Sequence, residues 1–394
     1  MLSPIYIQAF ESISAVGLNQ QLSKALFDLT PSALSWQSTW THRPLRFGQV
    51  NDRLLLSKEQ TLEIFPKLKA QSHFYGRTNQ LIASCLKSLQ VPIHQALKKY
   101  APHRIGVIMG ASVSGMSEME HVFANPAILD QTTDRILEIA NPAKFIATAF
   151  NLTGPTFVVS TACSSSSKAL ASAARLLQGN IIDFAICGGI DSASAFTLSG
   201  FDSLGALSHG QCQPFGANRD GINLGEGGAI FLLSREPSSY ELAGWAETSD
   251  GYHISSPDPQ ATQVKKAILD ALESAKVETV DYINAHGTGT IHNDAMEGLA
   301  IESIFTKDSA WVSSTKPLTG HTLGGAGALE AAICLLAMQE GKIPIHRLDN
   351  PIDEAFSKIK FALSPCSAKL NVTLSNSFAF GGNNTVLVLK KVTS

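Results

Sequence analysis

The sequence predicts an α/β protein of stacked sheets and helices, and three observations carry that reading. First, 394 residues and 42.0 kDa exceed what one ordinary core accommodates, so two domains or one large duplicated α/β unit is expected. Second, short apolar runs bounded by turn residues alternate with helical stretches, the pattern of layered α/β folds rather than of a bundle or sandwich. Third, two of the helices are built of small residues, SKALASAA at 167–174 and GGAGALEAA at 324–332. Such helices pack very closely on their neighbours, which suits a position in the middle of a layered protein. Hydrophobic residues at 44%, charged residues at 16% and a mean hydropathy of +0.08 exclude intrinsic disorder and imply much interior for little charged surface.

In chain order, residues 105–109 (IGVIM), 157–160 (FVVS) and 184–187 (FAIC) are the first apolar runs, read as buried strands. The stretch 165–177 between the second and third is the first clear helix. Residues 229–233 (AIFLL) form the next strand. The polar, proline-containing EPSSYE at 236–241 is the expected seam between an N-terminal half, 1–240, and a C-terminal half, 241–394. Beyond it come a helix over 263–275, a strand over 282–285 (YINA), a small-residue helix over 325–339, and strands over 372–374 and 385–389. Each half closes on a Gly-flanked passage and a strand, GEGGAIFLLSR from Gly225 and FGGNNTVLVLKK from Phe380, which hints at a duplication.

With 30 Lys+Arg against 33 Asp+Glu, a net charge of -3 and a pI near 6.4, nothing global points to nucleic acid or an anionic membrane. Six cysteines lie scattered, without CxxC pairs or zinc-like Cys/His spacing, so reduced thiols and no metal are expected. The start, MLSPIYIQAFESISAVG, lacks a basic region followed by a sustained apolar one, and no later run approaches the ~20 residues of a membrane span. The expectation is a cytoplasmic protein.

The chemistry concentrates in three places. In TFVVSTACSSSSKALASAARLL, from Thr156, a strand turns sharply into a helix with Cys163 at the turn. The helix N-terminus favours a thiolate there and offers N–H groups to an oxyanion. NAHGTGT at 284–290 places His286 after a short strand, with Thr288 and Thr290 presenting hydroxyls at alternate positions. STKPLTGHTLGGAGA at 314–328 places Lys316 and His321 in a Gly-rich loop before the small-residue helix. A lone cysteine or loop histidine is ordinarily structural. Two histidines and a lysine in Gly-rich turns at element ends form a pattern expected of a site.

These passages resemble the β-ketoacyl synthases, the elongating condensing enzymes of fatty-acid and polyketide assembly. TACSSS matches the family's nucleophile elbow, NAHGTGT its first histidine motif, KPLTGHTLGGAGALE its lysine and second histidine motif, and NSFAFGGNN from Asn376 its gating loop. CQPFGANRDGINLGEGG from Cys212 matches a further passage. The resemblance implies a thiolase-like fold of duplicated halves in α-β-α-β-α layers, usually dimeric. It also implies decarboxylative Claisen condensation, with Cys163 holding the acyl chain and His286 and His321 stabilising the enolate from malonyl thioester. Lys316 supports them electrostatically, with Glu297 its expected carboxylate partner, and Asp294 and Glu297 form the family's acidic pair. The N–H groups of Cys163 and Phe380 would make the oxyanion hole, and Phe380 the gate. Thr288 and Thr290 would hold the phosphopantetheine arm, which the acyl carrier protein carries in place of any resident cofactor. Val113, in GASVSGM, would line the acyl pocket.

Departures from the pattern, Ala379 before the gating phenylalanine, Asn383 after its glycines and an opening strand without the early glycine, suggest a specialised synthase of a polyene or type II polyketide-like pathway. Expected partners are an acyl carrier protein, docking near Arg77, Lys67 and Lys69, and a second copy or a related chain-length-factor subunit. The C-terminal loop carries no second cysteine, unlike a degradative thiolase, and Lys316 with His321 favours Cys-His-His over a starter-type Cys-His-Asn set. The competing reading is a non-catalytic chain-length subunit that shapes a partner's tunnel.

Overall fold

Ten principal strands form one long sheet path in the computed structural model, which describes residues 3–392 apart from 39–40, 70, 126–133 and 306–309. They are β1 (Tyr6–Ser14), β2 (Ile105–Gly110), β3 (Thr156–Val159), β4 (Phe184–Asp191), β5 (Gly227–Ser234), β6 (Tyr240–Ser249), β7 (Tyr282–Asn284), β8 (Trp311–Ser313), β9 (Val372–Ala379) and β10 (Asn383–Lys391). The path runs β8-β7-β9-β10-β6-β1-β5-β4-β2-β3. It is two five-stranded sheets joined by the single pair Tyr6–Glu241 between β1 and β6.

The two sheets repeat one plan. In the first, β1–β5 and β5–β4 are antiparallel, then β4–β2 and β2–β3 parallel. In the second, β6–β10 and β10–β9 are antiparallel, then β9–β7 and β7–β8 parallel. The Gly-flanked passages noted in the sequence lead into β5 and β10, which hold matching places. Residues 240–249, which apolar runs alone did not mark, form β6; its burial alternates along most of its length, so its signal is period two rather than a continuous run.

Six helices complete five layers: α1 (Arg77–Lys99), α2 (Asn141–Phe150), α3 (Ser165–Gln178), α4 (Thr262–Ala275), α5 (Ile291–Ile304) and α6 (Ala326–Glu340). Helices α1 and α2 cover the outer face of the first sheet and α4 that of the second, with α5 beside α4. Helices α3 and α6 lie between the sheets, each touching strands of both. Every residue of α6 from Ala326 to Met338 is buried, so its hydrophobicity runs all round. Small residues make this possible: a Cβ at Gly327 would sit 1.9 Å from Ser167 Oγ on α3.

Strand β3 corrects the expectation of uniformly buried strands. It closes one edge of the path, its residues are largely half-buried, and Phe157 is exposed. All six cysteines are free thiols. Among the described residues no helix is long and apolar enough to cross a membrane.

Candidate active site

Cys163 stands at the tip of the turn from β3 into α3. Ala162 before it has φ +52°, a left-handed conformation that costs a residue with a Cβ free energy and tends to mark functional turns. The neighbouring serines fix this turn. Ser164 Oγ donates to the Thr161 carbonyl at 2.9 Å, Ser165 Oγ donates to the Ala162 carbonyl at 2.6 Å, and Thr161 N donates to Ser165 Oγ at 2.9 Å. No side chain caps the N-terminus of α3. The backbone N–H groups of Phe380 and of Cys163 itself lie against the sulfur.

The matching turn of the second half, from β8 toward α6, supplies Lys316 and His321. The passage 212–228 braces it: His321 N donates to the Asn223 carbonyl at 2.8 Å and Gly225 N to the His321 carbonyl at 2.9 Å. His321 Nε2 then lies 2.9 Å from Cys163 Sγ. His286, on the loop after β7, sets its ring perpendicular to that of His321, with centroids 5.4 Å apart. One ring nitrogen of each histidine and the Cys163 sulfur all fall within 4.8 Å of one another. Residues 158 and 123 positions apart in sequence thus meet at one point.

Burial dominates the electrostatics here. It pushes the Cys163 thiol up to about 11, against the opposing pull of the Lys316 charge and the Phe380 N–H. The expected resting thiolate is therefore corrected to a thiol in contact with His321. Both imidazoles are held well below their ordinary range, first by burial and then by the Lys316 charge, so they rest neutral.

The expected Lys316–Glu297 pair does not form. Lys316 Nζ donates to Glu330, on α6, and to the His286 carbonyl oxygen. Glu297 instead accepts the backbone N–H groups of His286 at 2.8 Å and Gly287 at 2.7 Å and the Asn376 amide at 2.9 Å, and burial raises its carboxyl to about 7. Asp294 accepts from the N–H groups of Phe215, Thr288 and Gly289 at 2.8, 3.1 and 3.2 Å. The acidic pair anchors the His286 loop, and Glu330 is the residue that sequence reasoning missed. Its signal was present: it is the sole acid among the fourteen residues 326–339, which are otherwise apolar or small apart from Gln339, and a buried charge requires a partner. Asp191 was missed as well; it accepts from Ser112 N, Ser112 Oγ, Val113 N and Gly324 N and so ties the loop after β2 to the turn before α6.

The three reactive groups floor a cleft of about 370 Å³, whose walls include Thr288, Thr290, Phe380 and Gly382. The two threonine hydroxyls lie 2.8 Å apart. Phe380 is 38% exposed and stacks on Phe201 at 5.6 Å, while Gly381 and Gly382 take φ of +84° and +74°, open to glycine at little cost. Asn383, at the departure from the family pattern, accepts from Lys168 Nζ at 2.9 Å. Val113 does not line this cleft; it packs on a cluster of Leu198, Leu207 and Leu323 beside it. Of the basic residues, Lys67 and Lys69 are exposed. Arg77 is committed to Glu226, a fully buried carboxylate, and to Asp52, which removes it from the docking candidates.

Residues 84–238 match the family model described as "Beta-ketoacyl synthase, N-terminal domain" and residues 240–347 that of its C-terminal domain. The chain is 37% identical over 316 residues to a 3-oxoacyl-(acyl-carrier-protein) synthase 2 of Synechocystis sp., covering 73% of this chain and 75% of that one. It is 33% identical to Nodulation protein E of Rhizobium meliloti, covering 73% and 76%. Among solved structures, a ketosynthase in complex with its chain length factor from Xenorhabdus doucetiae matches with a TM-score of 0.90 and 34% identity, covering 99% of this chain and 98% of that one.

Proposed function

Because the chain belongs to the β-ketoacyl synthase family, we propose that the cleft over Cys163 carries out decarboxylative condensation of a Cys163-bound acyl group with a malonyl thioester, in the elongation of fatty-acid or polyketide chains. The observation that carries the reading is the 2.9 Å contact of Cys163 Sγ with His321 Nε2 beside the perpendicular His286 ring.

In the first half-reaction the Cys163 sulfur attacks the thioester carbonyl of an acyl carrier protein. As the S–C bond forms, its proton passes to His321 Nε2 and from there to the departing phosphopantetheine thiolate. The N–H groups of Cys163 and Phe380 hold the oxyanion of the tetrahedral intermediate. In the second, a malonyl thioester lies with its carbonyl oxygen at the two imidazoles. Loss of CO2 leaves an enolate whose negative oxygen is stabilised by the His286 N–H and by His321, now in the tautomer that carries its proton on Nε2, and its carbon attacks the acyl carbonyl and expels the Cys163 thiolate, which takes a proton from solvent. Neutral imidazoles suit this role, since a donor is needed without a competing acid. Lys316, bonded to the His286 carbonyl and to Glu330, fixes the loop and supplies positive potential. Thr288 and Thr290 contact the pantetheine amides, and the exposed Lys67 and Lys69 meet the acidic carrier protein.

The N-terminal half, 1–240, contributes the nucleophile and the C-terminal half, 241–394, the histidines, lysine and gate. A related chain-length-factor subunit is the partner suggested by the Xenorhabdus complex. The alternative, that this chain is itself the non-catalytic subunit, conflicts with the complete and correctly disposed Cys163, His286 and His321. Incubation with acyl and malonyl carrier-protein thioesters, alone and with candidate partner subunits, followed by mass spectrometry of the products, tests the proposal. β-Ketoacyl product that disappears with Cys163→Ala supports it, and condensation that persists in that variant refutes it.

A further inference from the structure

The same three groups have a second chemical capacity. A thiol sulfur and two imidazoles are the donor set of a tetrahedral zinc centre with one open position. Zn–S and Zn–N bonds of about 2.3 and 2.0 Å place the donors about 3.3–3.5 Å apart around a tetrahedral ion. Here all three donor atoms lie within 4.8 Å of one another and Cys163 Sγ is 2.9 Å from His321 Nε2, so side-chain rotation of the order of 1 Å is enough. That rotation meets no hydrogen-bond resistance, because Nδ1 of His286 and Nδ1 of His321 are both buried without a partner. The approach is open as well, since the cleft wall includes Asp220 and Asp250 and no lysine or arginine; the Lys316 charge behind the two imidazoles opposes the ion, though its pairing with Glu330 offsets part of that opposition.

We propose that Cys163, His286 and His321 bind one Zn2+ ion from the cleft, and that this ion is a reversible inhibitor which competes with the acyl donor. Binding replaces the Cys163 S–H bond by S–Zn and releases the proton to solvent, and water takes the fourth position. The missing partners behind each Nδ1 set the strength, since such partners ordinarily contribute about 10- to 100-fold in affinity. The site is consequently weaker than a structural zinc centre and exchangeable. Acylation removes it, because a thioester sulfur has lost the negative charge that holds the metal. Zinc therefore blocks the free enzyme and spares the acyl-enzyme.

Titration of the purified chain with Co2+, read by the thiolate-to-cobalt charge-transfer band in the ultraviolet, tests the site without substrate, so its outcome is independent of the condensation reading. Expected are one equivalent bound, loss of the band in Cys163→Ala, retention in Cys366→Ala, and about 10-fold or weaker binding in His286→Ala and His321→Ala, with displacement of Co2+ by Zn2+. An unchanged band in Cys163→Ala, or no stoichiometric binding, overturns the proposal. In a second measurement, Zn2+ added before the acyl donor is expected to suppress Cys163 acylation at least 10-fold, while Zn2+ added to preformed acyl-enzyme leaves the malonyl half-reaction within about 2-fold. Equal inhibition in both orders overturns the competitive mode.

Discussion

Replacing His346 by Asn tests how the loops behind the site are held. His346 is 1% exposed, and both ring nitrogens are engaged: Ser314 N donates to Nδ1 at 3.0 Å and Nε2 donates to the Pro214 carbonyl at 2.9 Å. Ser314 in turn donates through Oγ to the Gly287 carbonyl at 2.7 Å, so one imidazole joins the loop of Lys316, the loop of His286 and the passage before Phe215. Protonation would set an N–H against the N–H of Ser314 in a dry site, and burial accordingly depresses the imidazole to about 4. A folded value below the unfolded one means the contribution is complete above the unfolded value near 6.5 and is lost as pH falls from there toward 4. Linkage over that interval gives a loss of about 2 kcal/mol by pH 5 and about 3 kcal/mol by pH 4 from this residue alone. Guanidinium unfolding of the wild type and of His346→Asn at pH 7.5 and 5 would read it. The variant is less stable at pH 7.5 and loses about 2 kcal/mol less between the two values. The other buried histidines titrate equally in both proteins and cancel in the difference. Parallel pH dependence would refute the reasoning.

Further outcomes follow from other contacts. His321→Ala is expected to slow both acylation of Cys163 and malonyl decarboxylation, because its Nε2 touches the sulfur, whereas His286→Ala slows decarboxylation far more than acylation; single-turnover assays of each half-reaction would show a uniform loss in both variants if the contact has no role. Arg77→Ala strands the buried Glu226 carboxylate and should cost about 3–5 kcal/mol of stability, while Lys67→Glu with Lys69→Glu leaves stability unchanged and weakens carrier-protein binding, a contrast read by chemical denaturation and titration calorimetry. Gly327→Ala forces a methyl group onto Ser167 Oγ and should cost at least about 2 kcal/mol; a melting temperature equal to that of the wild type would show that α3 and α6 can move apart.

The sequence was most informative where one residue type serves one need. Apolar runs marked the central strands because those strands are buried on both faces, and small residues marked α3 and α6 because the two helices approach each other closely at Ser167 and Gly327. Strand β6 escaped because alternation, not a continuous run, is its signature. At the site, Cys163, His286, Lys316 and His321 announced themselves by sitting in Gly- or Ser-rich turns at element ends. The charge partners did not, because pairing is a property of space. Glu297 is closer in sequence to His286 than Glu330 is to Lys316, yet the fold aims Glu297 at backbone N–H groups and leaves Lys316 to a carboxylate from the middle helix. Arg77 read as a surface charge because α1 begins there, and only the chain crossing at Glu226 shows otherwise.

The interleaving of the two halves has a consequence for biosynthesis. Helix α3 is made with the first sheet, but α6 and the second sheet that it also packs against lie beyond residue 240. At about 5–20 residues per second, the first sheet leaves the ribosome roughly 10–30 s before the last strands do. During that interval the face of α3 that carries Ser167, Ala171 and Ala174, which meets Gly327 of α6 and Ser377 of β9 through Ser167 and is buried in the finished molecule, has no cover. The nascent N-terminal half should therefore bind a chaperone that the completed chain no longer needs, and a truncation ending near Ser239 should associate or precipitate rather than persist as a soluble monomer.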